Sequence, residues 1–210
     1  MPAAPAFLVL RTSAAEDDWA EAIESARGDV LAAAPATSVT PFEPGTKHSG
    51  LVIARFAFAA DRDTCWNSTH ELADADPKLV ALAMNGIAWE GWPGNFVPTI
   101  ASVNVPEADA PRTFMVIEGT GTDQDRMDQY RDIILPMMRE RGSYYVVFEL
   151  GGDVRVLAGE WSEGIFAVSR WPSRAHAEDF WFCDKYQKTA VPLRTGVGRF
   201  DVQVVEGRMA

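Results

Sequence analysis

Short apolar runs alternate with amphipathic stretches along the chain, beginning with the first half. Phe7–Leu10 and Leu51–Phe58 are rich in strand-forming residues and predict two strands. Between them, apolar residues recur at steps of three and four over residues 19–26, which predicts an amphipathic helix. Thr37–Thr40 is predicted as a weaker strand, and Asp61–Met84 as a mostly helical segment.

The second half shows the same order of elements more clearly. Its strands and helices are predicted from the same two periodicities, and the Gly-Gly pair at residues 151–152 predicts a hairpin turn. The predicted strands are Phe114–Ile117, Tyr144–Leu150, Val154–Leu157 as the second arm of that hairpin, Ile165–Trp171 and Phe200–Val205, and the helices are residues 127–138 and Ala175–Tyr186.

The two halves keep a constant register, which indicates an internal repeat. Ala54–Phe56 lies about 115 residues before Ser169–Trp171, and Trp66 precedes Trp181 by the same interval. Both halves therefore read strand, helix, strand, strand, helix, strand, although the first half ends irregularly around residues 87–98. The predicted fold is α+β, with two fused ferredoxin-like (βαββαβ) repeats and antiparallel sheets. We assign residues 1–98 to the first repeat, 99–112 to a linker and 113–210 to the second repeat.

Composition and charge exclude several classes of function. The chain has 210 residues, 47% of them hydrophobic, and a formal net charge of −11. Such an acidic protein is a poor partner for nucleic acids and for anionic membrane surfaces. Cys65 and Cys183 are too few for a disulfide framework, and the first residues resemble neither a signal peptide nor a membrane span. A cytoplasmic protein is predicted, and a homodimer remains open.

The second half contains a spaced set of residues: Gly159, Trp161, Trp171-Pro172, Phe180-Trp181, Tyr186-Gln187 and Leu193-Arg194. Through these residues it resembles the DUF1330 family, a branch of the dimeric α+β barrel superfamily. The sequence departs from the family where Cys183-Asp184-Lys185 replaces the usual Ser-Pro-Glu, and at Ala158 and Arg170. The resemblance implies two four-stranded sheets packed face to face, both supplied here by one chain. The wider superfamily includes cofactor-free isomerases, lyases and monooxygenases, and some haem proteins.

Two arginines at equivalent strand positions are the main candidates for substrate binding. Arg55 and Arg170 each precede an aromatic residue, so we expect the arginines to face the opposite sheet if the aromatic residues pack under the helices. Two guanidinium groups in that space would bind a substrate carboxylate well. The alternative is that they pair with internal acids such as Glu118 or Glu149.

The remaining candidate residues have alternative structural roles. His70 is the candidate proton carrier, assisted by Tyr186 or Tyr144, and the alternatives are a surface histidine and core tyrosines. Four further residues complete the predicted substrate site: His48 in a glycine-rich loop, the aromatic residues Trp66 and Trp181, and Glu149.

These features predict a cofactor-independent lyase or isomerase that acts on a small aromatic or unsaturated carboxylic acid. The pocket is expected between the sheet faces of the two repeats. No histidine pair has the close spacing of metal ligands, so neither a metal nor a cofactor is predicted. Two alternatives stay open: a non-catalytic module that binds small molecules or a partner, and a haem-dependent enzyme with His70 as the axial ligand.

Overall fold

The computed structural model describes residues 4–13, 16–44, 46, 49–87, 110–151 and 153–208. The first half contains β1 (Ala6–Thr12), α1 (Glu16–Ser25), β2 (Asp29–Ala34), β3 (Thr40–Pro41), β4 (Gly50–Phe56), α2 (Ala59–Ser68), α3 (His70–Ala75) and β5 (Val80–Asn85). The second half contains β6 (Thr113–Gly119), α4 (Gln124–Glu140), β7 (Tyr144–Leu150), β8 (Arg155–Ala158), β9 (Ile165–Trp171), α5 (Arg174–Phe182), a π-helical turn (Tyr186–Ala190), α6 (Val191–Arg194) and β10 (Phe200–Glu206).

Two antiparallel sheets carry the repeat. Their strand orders are β2-β4-β1-β5-β8 and β3-β10-β6-β9-β7. Without β8 and β3, each sheet has the order of a ferredoxin-like unit, which confirms the predicted α+β fold of two fused repeats. The predicted register also holds, because Phe7 pairs with Arg55 in the first sheet and Phe114 pairs with Arg170 in the second.

Each half contributes a short strand to the sheet of the other half. From the first half, β3 pairs with β10 of the second sheet, and from the second half, β8 pairs with β5 of the first sheet. The prediction that Val154–Leu157 forms a hairpin with the preceding strand is therefore wrong. A local hairpin signal does not reveal that an open sheet edge elsewhere in the fold provides the partner.

Two further sequence predictions in the first half are wrong. The second strand is Asp29–Ala34. Of the predicted strand Thr37–Thr40, the first two residues lie in a 3-10 turn (Ala36–Ser38), and Thr40 begins the short strand β3. The predicted helix over Asp61–Met84 ends early, and Val80–Asn85 is a strand. This strand lies between β1 and β8 and is apolar on both faces, so its sequence lacks the alternation that distinguishes strands from buried helices.

Three apolar clusters hold the layers together. One packs between the two sheets, and the other two pack each sheet against its own helices. Phe56 and Trp171 lie on the helix-facing sides, as expected, which leaves Arg55 and Arg170 on the faces between the sheets. The space between the sheets is occupied by large apolar side chains, among them Phe7, Phe114, Phe166, Leu51 and Met84.

A buried carboxylate fixes the end of β1 to the loop before β5. Asp76 accepts hydrogen bonds from the Thr12 hydroxyl at 2.7 Å, the Ser13 amide at 2.8 Å and the Lys78 amide at 3.1 Å. Burial alone would raise the pKa of Asp76, but these hydrogen bonds outweigh it and lower the pKa below its ordinary 3.8. The ionised carboxylate therefore stabilises this junction.

Candidate functional site

A cavity of about 460 Å³ lies within the second half, between α4 and the helix-facing side of the second sheet. Its volume lies within the range of small-molecule sites. The sheet contributes side chains from alternate positions of β6, β9 and β10, because alternate residues of a strand share a face. The apolar and aromatic lining includes Met115, Ile117, Met127, Ile134, Met138, Tyr145, Phe148, Ala167, Phe180, Trp181 and Val202.

The sequence of α4 places one face over this cavity. Asp123 caps the helix by accepting a hydrogen bond from the Arg126 amide at 3.1 Å. Residues 127, 130, 134 and 138 then recur at steps of three and four and point to the sheet. Beside this row, Arg131 donates to Asp128 at 2.6 Å, and this ion pair is partly exposed.

Arg194 provides the charged group of the cavity. Its side chain is 6% exposed, and its Nη2 donates to Glu43 Oε2 at 2.6 Å. The guanidinium carbon lies 5.2 Å from the ring centre of Trp181 and 5.6 Å from that of Phe200. Among the described residues, the buried Nε atom of Arg194 has no hydrogen-bond partner. Because Arg194 lines the cavity as a residue, its guanidinium group is a candidate contact for a ligand oxygen.

Two tyrosines lie beside this guanidinium. Tyr130 lines the cavity, and its hydroxyl is 3.0 Å from the Tyr186 hydroxyl. Burial raises the pKa of Tyr130, with Arg194 and Tyr186 partly opposing it, and burial also raises the pKa of Tyr186 well above 10. Both phenols are therefore neutral near pH 7. One hydroxyl donates to the other, which leaves the proton of the accepting hydroxyl for a ligand.

The charges around the cavity balance. Burial lowers the pKa of Arg194, but the two tyrosines and Glu43 raise it by more, so the guanidinium stays protonated. Its charge is matched by Glu43, and the charge of Arg131 is matched by Asp128 on the cavity wall. Arg131 also contacts the exposed Asp132 at 2.8 Å, which does not line the cavity. The site therefore offers hydrogen-bond donors in an apolar surrounding without a net charge.

The two predicted arginines lie outside this cavity. Arg55 donates to Asp29 at 2.5 Å near the edge of the first sheet, and its side chain is 28% exposed. Arg170 packs its guanidinium over the ring of Phe114 at 5.7 Å, and its Nε has no hydrogen-bond partner among the described residues. The cavity described above lies under α4, whereas the sequence predicted a pocket between the sheets.

Two of the other predicted residues lie at the cavity. Trp181 lines it, and Tyr186 contacts its wall through Tyr130. Tyr144 is buried in β7 opposite Arg170, outside the cavity lining.

The remaining predicted residues lie elsewhere. Glu149 is half-buried near the end of β7, where burial and then Asp153 raise its pKa. Trp66 stacks on Trp19 under the first sheet with ring centres 6.1 Å apart, His70 is exposed on α3, and His48 is outside the described residues.

Sequence reasoning did not assign Arg194 or Glu43 to a site. Arg194 had a visible signal, because it is the arginine that ends the motif resembling DUF1330. Glu43 had no such signal in the sequence, because it reaches Arg194 only through the pairing of β3 with the sheet of the other half. A contact between residues 151 positions apart leaves no trace in local periodicity.

The donor set does not fit a histidine-ligated haem. The residues that line the cavity, all within the described part of the chain, include no histidine. His70, the axial ligand considered above, is exposed on α3 in the first half. Within the described ranges, no group of three or more His, Cys, Asp and Glu side chains is arranged to hold a metal ion.

Two ferredoxin-like units fused in one chain, with their sheets packed face to face, form an architecture of the dimeric α+β barrel type. A crystal structure from Fusobacterium nucleatum, of a protein named as a candidate monooxygenase, shares this fold. Its TM-score is 0.54 at 9% identity, covering 99% of this chain and 94% of the other.

Two further solved structures superpose less closely. A candidate monooxygenase from Lactobacillus acidophilus has a TM-score of 0.48 at 11% identity, with coverage of 97% and 94%. A chlorite dismutase variant from Candidatus Nitrospira defluvii has a TM-score of 0.43 at 9% identity, with coverage of 97% and 92%.

The second half of the chain matches a family model. Residues 112–208 match the family model described as "Domain of unknown function (DUF1330)", which confirms the resemblance. No curated protein matches the chain. Among the described helices, none has the length and apolar character needed to cross a membrane.

Proposed function

We propose that the chain is an enzyme acting on a small aromatic or unsaturated molecule, bound under α4 with one oxygen atom directed at Arg194. The observation that carries this proposal is the position of Arg194 on the wall of an otherwise largely apolar cavity, with a buried Nε that has no partner among the described residues. The neutral hydroxyl of Tyr130 provides a second donor nearby. The apolar lining, which includes Met115, Tyr145 and Trp181, would surround a flat ring system.

The charge balance favours a neutral oxygen, as in a ketone or a phenol, over a carboxylate. Because Glu43 already neutralises Arg194, a carboxylate would add an uncompensated negative charge to a buried site. A carbonyl oxygen needs only a donor. This proposal keeps the aromatic or unsaturated substrate expected from the sequence and replaces its carboxylate with a carbonyl or hydroxyl group.

The arrangement suits cofactor-independent proton transfer, as in an isomerase or a lyase. When a base removes a proton from the carbon next to a carbonyl, the electron pair moves to the oxygen and an enolate forms. Arg194 and Tyr130 would stabilise that negative charge more strongly than the neutral carbonyl, which is the condition for catalysis. Asp128, a carboxylate on the cavity wall, is the base in this proposal.

Binding is tested with four molecules that share one ring system: naphthalene, 2-naphthol, 2-acetylnaphthalene and 2-naphthoate. We expect the phenol and the ketone to raise the melting temperature more than naphthalene or the carboxylate, because a ligand stabilises the native state to which it binds. Arg194→Gln should weaken ketone binding about tenfold, the equivalent of one hydrogen bond. The matched control is Arg155→Gln, an exposed arginine on the first sheet, which should bind as the wild type does.

Catalysis is tested separately by proton exchange. In deuterated water, proton transfer would exchange the methyl protons of 2-acetylnaphthalene, which proton nuclear magnetic resonance follows directly. Faster exchange with the wild type than with Arg194→Gln supports the enzyme. Tight binding without accelerated exchange would contradict it and would favour the alternative, a non-catalytic small-molecule-binding module.

A further inference from the structure

We propose that Glu43, supplied by the first half of the chain, sets the charge selectivity of the cavity in the second half. This inference rests on the proposed function and specifies its ligand class: neutral oxygen groups are admitted because Glu43 neutralises Arg194. Without that carboxylate, the same cavity would prefer anions.

The strand exchange fixes the position of Glu43. Thr40 and Pro41 pair with β10, and the Phe42 amide donates to the Val202 carbonyl at 2.9 Å. The Phe42 ring lies 5.5 Å from the ring of Trp181, which lines the cavity. Glu43 follows directly, so its backbone is fixed against the second sheet by its neighbours.

Glu43 acts on the cavity from outside its lining. Arg194 lines the cavity and Glu43 does not, although their side-chain atoms are only 2.6 Å apart. The Glu43 side chain is 25% exposed and that of Arg194 is 6% exposed. Glu43 therefore cancels the charge that a ligand would experience while leaving the Nε donor of Arg194 unoccupied.

The selectivity follows from the sum of charges near the ligand. A carboxylate bound at Arg194 would be attracted by the guanidinium and repelled by Glu43 at a slightly longer distance, and these terms largely cancel in a buried site. Its desolvation cost would then be uncompensated. A ketone has no such cost. Removing the charge of Glu43 leaves the attraction without the repulsion.

The test compares Glu43→Gln with the wild type. The affinities for 2-naphthoate and 2-acetylnaphthalene are measured by titration calorimetry at one pH and one salt concentration. We expect Glu43→Gln to raise the ratio of carboxylate affinity to ketone affinity by about tenfold or more. Glu43→Asp, which keeps the charge, should retain the wild-type ratio. Glu24→Gln, at an exposed glutamate paired with Arg208, is the matched control and should also retain it.

Loss of one partner of a buried ion pair is destabilising, so a second comparison covers the case in which Glu43→Gln does not fold. In that case Arg194→Gln is compared with the double variant Glu43→Gln/Arg194→Gln, which carries no unpaired charge. Removing Glu43 in this background should again raise the carboxylate-to-ketone ratio, because the repulsion disappears.

The outcomes separate this inference from the proposed function. If the wild type binds neither molecule, the proposed function fails. If the wild type binds the ketone and removal of the Glu43 charge leaves the ratio within about twofold, the inference about Glu43 is wrong and the proposed function stands.

Discussion

An ion pair between the two sheets joins equivalent positions of the repeat. Arg11 on β1 and Glu118 on β6 lie at matching places in the two halves, and Arg11 Nη1 is 3.3 Å from Glu118 Oε1. Their side chains are 11% and 4% exposed, and Glu118 also accepts a hydrogen bond from Trp161 Nε1 at 2.8 Å. If two identical halves paired in this way, like charges would meet. The opposite charges therefore favour pairing of the first half with the second.

We predict that Arg11→Met lowers the free energy of unfolding by about 3 kcal/mol, the low end for breaking a buried pair, because the remaining carboxylate keeps its bond to Trp161. For a chain of this length, that loss lowers the melting temperature by about 6–12 °C. Glu118→Gln should lower the free energy of unfolding by about 2–3 kcal/mol, since the glutamine still accepts a hydrogen bond from Trp161. The double variant should lose clearly less than the sum of the two single-variant losses, with a coupling energy of about 2 kcal/mol.

Urea unfolding followed by circular dichroism measures all four proteins. A double-mutant cycle that is additive within about 0.5 kcal/mol would refute the reasoning, because it would show that the two side chains do not stabilise each other. A loss of less than about 0.5 kcal/mol in the free energy of unfolding of each single variant would also refute the reasoning. Such a loss is typical of exposed salt bridges.

Three further predictions concern other parts of the fold. Burial raises the pKa of Cys65 to about 11, so Cys65 should resist iodoacetamide at pH 8 until urea unfolds the chain, as mass spectrometry would show. Asp76→Asn should lower stability by about 1–2 kcal/mol at pH 7, as measured in urea. Because the pKa of Asp76 is lowered, that difference should persist above pH 3.8 and shrink as the pH falls through the folded pKa. Trp19→Phe should cost about 2 kcal/mol in urea and leave the calorimetric affinity for 2-acetylnaphthalene unchanged, since Trp19 packs under the other sheet.

The fold was largely predictable because equivalent residues of the two halves are separated by a constant number of positions. The constant spacing between Arg55 and Arg170 corresponds to equivalent positions on β4 and β9. The predictions failed where a segment takes its structure from a distant partner. Val80–Asn85 is a central strand only because β1 and β8 flank it, and β8 itself pairs across the halves.

The candidate site was predictable only in part. Trp181 and Tyr186 belong to a recognisable motif of the second half, and both lie at the cavity. The paired arginines drew attention to the space between the sheets, but the pattern of strand faces does not show whether that space is filled. In the structure, Phe7 and Phe114 help to fill it, and the open volume lies on the other side of the second sheet.

A crystal structure of the protein with 2-acetylnaphthalene would show directly where a ligand binds. We expect the ring system under α4 and the ketone oxygen about 2.7–3.2 Å from a guanidinium nitrogen of Arg194. A ligand bound between the two sheets near Arg55 or Arg170, or bound under α4 with its oxygen directed away from Arg194, would show that the proposed site is wrong.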